Sequence, residues 1–411
     1  MIKQRHALNK WSILILNTTV FIGIVGIPFT AIPVLFSSIT NELDLTLLQI
    51  GVIWGCFSLG MTFGSFLGGL AGDRFKLYKV IGILCFMVAL TNGLRALSFD
   101  YISLSASMLL CGVAVGAAIP TVNRVPGLYF PPGQLGLAVG ITNSGFCIGA
   151  MLSTALGATF ILPLVGSWRN VLFVYSAVCF ILGYAWLALM TGTQVPRQNS
   201  AQKGSNEKPV ALHEALGVIF RSRDMWLILI VNIMLMGSFT AIMGYLPTYL
   251  ANTGLPGNVG DSISSTLFFA GIAGALLIPV ISDRIGRRKA LIIACAVAMG
   301  AGTYLLTISS TVFLWLLVPL IGFAYMGVVA LCYTMILEMK GIGPAYGATS
   351  LGLAVTSQNI GGFFLPIVGG LLAVRNIAWP FIFWAAAILV AALCLFGVSE
   401  TGTDRASSEK D

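Results

Sequence analysis

Charge is what this sequence has least of. Only 9% of its 411 residues are Asp, Glu, Lys or Arg, against about 25% in ordinary soluble domains. With 57% hydrophobic residues and a mean hydropathy of +0.95, a water-facing globular surface is excluded. Histidine is scarcer still. His6 and His213 are the two in the chain, and both lie outside the apolar runs, so no imidazole is available for a proton relay or metal site in the membrane. The eight cysteines all sit inside apolar runs and none forms a CxxC pair, which excludes a zinc or dithiol motif and leaves small buried hydrophobes. No nucleophile–base–orienter set, metal cluster or phosphate loop is visible, so the reading is no enzyme, no cofactor and no metal. The formal charge of +8 does not point to nucleic acid either. The basic residues are spread between apolar runs, where they set membrane orientation.

What is there is a series of twelve apolar runs, near 12–38, 46–72, 79–97, 101–125, 135–161, 168–190, 225–250, 262–282, 290–309, 312–337, 346–372 and 376–398. A helix of about 20 residues crosses a bilayer core, so an all-α membrane protein with twelve transmembrane helices is expected. The first run is too long for a signal-peptide core and reads as a retained span. The longest polar segment, 191–224, separates the sixth and seventh runs. It reads as a cytoplasmic linker with one short amphipathic helix over 210–220, dividing a six-helix bundle over 1–190 from a second over 225–411. With both termini cytoplasmic, all of the 22 basic residues except Arg95, Arg169 and Arg375 face inside. That bias predicts a multi-pass protein of the cell (inner or plasma) membrane.

One stretch organises the rest. Residues 51–79 read GVIWGCFSLGMTFGSFLGGLAGDRFKLYK. Gly60, Gly64, Gly68 and Gly72 recur every fourth residue and so share a helix stripe, the kind of surface that lets another helix backbone approach closely in lipid. A charged turn follows, with Asp73, Arg74, Lys76 and Lys79. It returns 210 positions later as PVISDRIGRR over 279–288. The same offset relates FTAI over 29–32 to FTAI over 239–242, Gly64 to Gly274 and Gly112 to Gly322. Two tandem copies of six spans have the same orientation, so a pseudo-twofold axis along the membrane normal is expected.

On these residues the chain resembles the major facilitator superfamily of transporters. Twelve spans, a central linker and two copies of the loop G-x-x-x-D-R-x-G-R-[RK] carry the resemblance. The second copy is close, with Pro279 in place of the first glycine. In the first, Lys76 replaces a glycine and Leu77 and Tyr78 replace the basic pair. The resemblance implies a rocker-switch transporter gated by charges at the span ends: Asp73, Arg74, Arg124, Asp283, Arg284, Arg287 and Glu338, with Glu338 pairing Arg284 or Arg287 and Arg124 pairing Asp73. The plain alternative is a solvated charged surface. NRVPGLYFP over 123–131 with GLAVGI over 136–141 is similar to anion:cation symporters and cyanate-permease-like members, and GLRAL over 93–97 resembles the latter. QNIGGFFLP over 358–366 resembles nitrate/nitrite porters. The nitrate-holding arginines of the second and eighth spans are missing, which disfavours nitrate itself.

In that fold the first, fourth, seventh and tenth spans line the central cavity, helped by the second, fifth, eighth and eleventh. Polar residues at mid-depth on those spans are the substrate candidates: Thr30, Asn143, Ser144, Tyr245, Tyr325, Gln358 and Asn359, with Asn17 and Asn232 lower toward the cytoplasm. Each amide must find a partner in lipid, so helix–helix bonding competes with substrate binding at every one. No charged side chain is expected at mid-depth, and Arg95, Arg124 and Arg375 read as a positive rim. The expectation is a monomer moving a small organic or inorganic anion, with a proton or cation as the coupling partner if there is one. The alternative is an exporter of an uncharged or lipophilic compound.

Overall fold

The computed structural model describes residues 9–191, 212–339 and 342–401. Twelve helices in it are long and apolar enough to cross a membrane: Lys10–Leu43, Leu47–Gly69, Leu77–Ala96, Tyr101–Tyr129, Gln134–Val165, Trp168–Met190, Arg223–Asn252, Asn258–Ile285, Arg288–Leu305, Thr311–Glu338, Thr349–Ala373 and Trp379–Phe396. They are the first to twelfth spans below. Most of the expected linker lies outside the described residues. The amphipathic helix expected within it runs Leu212–Arg221.

The chain separates into two compact units. The first comprises Met1–Asp44 and Leu59–Glu207, the second Leu45–Ser58 and Lys208–Asp411. The second span therefore contributes its first part to one unit and the remainder to the other.

In the first unit the first span is interrupted by a π-helical turn, Ile22–Gly26. The Ile27 amide reaches back five residues to the Ile22 carbonyl. Pro28 follows and has no N–H to offer the turn before it, so regular α geometry is weakened there. The fifth span crosses at this point, Gly26 against Gly149. A Cβ on Gly26 would lie 2.8 Å from the Gly149 Cα and 2.7 Å from the Phe146 carbonyl oxygen. The glycine stripe of the second span behaves as its spacing predicts. Side chains at Gly60, Gly64 or Gly68 would overlap the backbone of the fourth span at Leu109, Val113 and Ala117. The third and sixth spans are tied by Ser176 Oγ donating to Ala89 O (2.6 Å) and Trp186 Nε1 donating to Tyr78 O (2.9 Å).

The second unit repeats this frame. The seventh span carries a π turn at Asn232–Met236, offset by 210 from the first. The eleventh span crosses just beyond it, and a Cβ on Gly237 would sit 2.6 Å from the Gly361 Cα. Gly274 and Gly322 bring the eighth and tenth spans together as the second and fourth are brought together. Residues 45–58 pack onto the seventh and eleventh spans. Trp54 Nε1 donates to Thr240 O (2.8 Å), and Tyr245 Oη bridges Leu47 O (2.8 Å) and Pro366 O (3.2 Å).

Candidate functional site

The polar residues of the spans divide by what their hydrogen bonds already do. In the first unit Thr30 is buried and donates to the Ala150 carbonyl of the fifth span at 3.2 Å, so its hydroxyl serves the crossing at Gly26. Its repeat partner Thr240 bonds its own helix, to Met236 O at 3.0 Å. Asn17 donates to Val122 O and Thr142 Oγ1, both at 3.3 Å, and its Oδ1 is left without a donor. Asn143 is different. It is exposed, and no hydrogen bond within the described residues occupies its amide.

In the second unit Tyr245 is buried, with its hydroxyl committed to two carbonyls. Tyr325 lies flat on Phe239, ring centroids 3.4 Å apart and planes within 9°. Gln358 accepts at Oε1 from the Tyr333 hydroxyl, 2.9 Å away, which fixes the amide and leaves its NH2 group as donor. Asn359, next in the chain, is buried with Nδ2 unbonded. Asn232, within the π turn, is fully buried with both amide atoms unbonded. Each such amide is costly unless a water or a ligand completes it. The π turn and its orphan amide are thus features of one place, on the seventh span against the eleventh.

The charged residues also sort themselves. Arg95 was expected at a solvated rim, but it is fully buried at the end of the third span. Its Nη1 donates to Pro28 O at 3.2 Å and lies 3.7 Å from Met108 Sδ, its Nη2 binds Asn92 Oδ1, and its Nε has no partner. Asn92 is itself held by donating to Val88 O at 2.9 Å. The rim reading of Arg95 is therefore corrected: from the end of its span the guanidinium turns into the first unit. Asp261 lies within the helix Gly257–Ile285 and is 7% exposed.

At the loop of the second unit, Glu338 pairs with neither expected arginine. Arg288 binds it through Nε and Nη2, at 2.6 and 2.8 Å, and reaches Asp283 Oδ1 through Nη1 at 2.9 Å. The reason is the turn. Gly286 takes the left-handed conformation (φ 74°) that ends the helix Gly257–Ile285, Arg287 is extended, and Arg288 opens the next helix facing back. Arg284 and Arg287 are exposed. Arg124 is exposed at the end of the fourth span. The side chains of Asp73 and Arg74 lie outside what the structure describes, so the expected Arg124–Asp73 pair does too.

The profile of the Major Facilitator Superfamily matches residues 18–364. The chain belongs to the Major Facilitator Superfamily. It is similar to the hexuronate transporter of Bacillus subtilis, 31% identical over 157 residues. That match takes in 37% of this chain and about a third, 34%, of the relative. Likeness to the probable sulfoacetate transporter of Cupriavidus necator runs further, 24% identical over 90% of each chain. Among solved structures, the nucleoside transporter NupG superposes with a TM-score of 0.78 at 17% identity, covering 94% of this chain and 99% of that one. At that identity the likeness speaks for the fold.

Within this superfamily frame, three residues with evident roles escaped the sequence reading. Tyr333 orients Gln358, Arg288 replaces Arg284 and Arg287 as the ion-pair centre, and Trp54 anchors residues 45–58. Only Arg288 left a signal, as the second member of the basic pair in the loop.

Proposed function

We propose that this superfamily transporter moves a small organic anion by rocker-switch alternating access. The observation that carries the reading is Asn359 Nδ2, a buried amide donor with no acceptor, beside Gln358, whose NH2 group is directed by Tyr333. Unpaired N–H donors in an apolar setting suit a carboxylate or similar oxyanion, which accepts several hydrogen bonds without a full counter-charge. Two of the relatives support the class of substrate, since hexuronate and sulfoacetate in their names are organic anions. Asn143 on the fifth span offers a further free amide. Thr30, Tyr245 and Tyr325 are proposed to shape the path rather than bond to the anion, because their polar or aromatic faces are already engaged. The charges Asp73, Arg74, Arg124, Asp283, Arg284, Arg287 and Glu338, joined now by Arg288, are proposed as gating groups. The protein is proposed to work as a monomer in the cell membrane with cytoplasmic termini, and a proton or cation is proposed to accompany the anion.

The test is counterflow in proteoliposomes with a panel of labelled small organic acids. Competition by carboxylates, and a KM raised about tenfold in Asn359→Ala with normal protein yield, are the expected results; one lost hydrogen bond to a charged group accounts for that size. Transport of lipophilic compounds that carboxylates leave untouched would favour the exporter alternative and end the anion reading.

A further inference from the structure

The first unit holds an apolar groove of about 590 Å³, within the size range of small-molecule sites. Its mouth carries Lys76 and Lys79, and its wall includes Phe75, Ile83, Met87 and Val113. We propose that this groove binds one anionic glycerophospholipid, an acyl chain along the groove and the phosphate at Lys76 and Lys79.

Three independent features converge on that occupant. The third span presents Val80, Ile83, Leu84 and Met87 to the groove, spacings of three and four that form one apolar stripe. From Lys79 to Met87 is about 12 Å along a helix, long enough for the upper half of an acyl chain. Ile83 and Met87 are 57% and 43% exposed while Val80 and Leu84 are buried, so the outer edge of the stripe is uncovered by protein and its inner edge forms the floor. Lys76 and Lys79 are both exposed, and neither has a carboxylate partner among the described residues. Finally, Lys76 is the extended residue that precedes the helix Leu77–Ala96, and no side chain caps that end. The first amides of a helix are unpaired and carry partial positive charge, so they add to the lysines at the level where a phosphate would sit.

The repeat supplies an internal contrast. At the matching loop of the second unit Arg288 opens the helix, but it is spent on Asp283 and Glu338. The exchange of the loop's glycine and basic pair for Lys76, Leu77 and Tyr78 gives the first unit lysines beside an apolar channel with no carboxylate partner among the described residues. That combination matches an anionic lipid, and a free anion would have no use for the channel.

The full-length protein, stripped of lipid in detergent, is offered equal phosphatidylglycerol and phosphatidylcholine with the same acyl chains, and bound lipid is read by native mass spectrometry. Two lysines near a headgroup favour the anionic lipid by about thirtyfold. Lys76→Gln with Lys79→Gln should bring that preference close to parity while the thermal midpoint of the stripped protein stays unchanged. Ile83→Trp, which fills the groove, should reduce retention of both lipids and keep the preference. Inorganic phosphate should not displace phosphatidylglycerol. Equal retention of the two lipids by the wild type would overturn the proposal. So would an unaltered preference in the double variant, undiminished retention in Ile83→Trp, or displacement by phosphate alone.

Discussion

The two units share a backbone and differ in where they keep their charge. Both break a central span with a π turn, at Ile22–Gly26 and Asn232–Met236, and both cross that break with a glycine pair, Gly26 with Gly149 and Gly237 with Gly361. Yet the first unit buries a guanidinium, Arg95, while its loop lysines Lys76 and Lys79 have no carboxylate partner among the described residues. The second has Leu305 at the position matching Arg95, and gathers its loop charges into Asp283–Arg288–Glu338. Both units need a glycine pair at this crossing but do not place it at matching positions: under the 210-residue offset Gly26 and Gly149 correspond to Met236 and Asn359. Hydrogen-bond chemistry was free to diverge wherever another acceptor lay within reach.

The sharpest way to break this comparison is at the crossings. Gly149→Val and Gly361→Val should each cost about 3 kcal/mol or more through overpacking, seen as lost monodisperse yield and a lower thermal midpoint. A tolerated substitution at one crossing alone would show that the shared frame is not equally tight. Next in size is Arg95→Met, which leaves Asn92 Oδ1 and the Pro28 carbonyl without their buried donor and should cost about 2–3 kcal/mol. The matched change Leu305→Met, at a position 40% exposed, should stay within about 0.5 kcal/mol. Equal effects would mean that Arg95 contributes packing alone.

Arg288→Gln comes third. Its partners Asp283 and Glu338 are 64% and 34% exposed, so solvent screens the pairs and stability should fall by about 1 kcal/mol at most. Transport turnover should drop much further if the cluster gates the cycle, and wild-type rates would remove it from the mechanism.

The smallest effect concerns helix capping. Asp100 and Ser103 form a reciprocal capping box at the start of the fourth span, whereas Ser310, 210 residues on, opens the tenth span with no side-chain cap bond. Asp100→Ala should lower the thermal midpoint slightly, and Ser310→Ala should not. Hydrogen bonds from Ser103, through its side chain and then its amide, hold the Asp100 carboxyl below the usual carboxylate range. Stability from this cap is therefore complete above the unfolded carboxylate value and is lost as pH falls through the lower folded value. Acid titration of the midpoint in wild type and Asp100→Ala should converge only at the acid end.

Much of this was legible in the sequence. Hydropathy located twelve spans, with the third expected at 79–97 and found at Leu77–Ala96, because lipid forces long apolar helices. The 210-residue offset announced the repeat, and the every-fourth glycines of the second span announced a close helix contact, whose partner, the fourth span, came only from the structure. The side-chain chemistry was harder to read. Arg95 looked like a loop cation because it falls beside a span end; only the tertiary position of Pro28 and Asn92 shows that its long side chain turns inward. Whether an amide such as Asn143, Gln358 or Asn359 is satisfied depends on helix rotation and on a neighbour far along the chain, as Tyr333 is for Gln358. The choice of Arg288 over Arg284 or Arg287 hung on one left-handed glycine.

The five-residue turns at 22–26 and 232–236 hold one residue more than an α-helix would need. Deleting that residue from either should restore regular α-helical bonding and close the widened turn that contains Gly26 or Asn232. Since both copies carry the surplus at the same ordinal place, the simplest ancestry puts the insertion first and the gene doubling second.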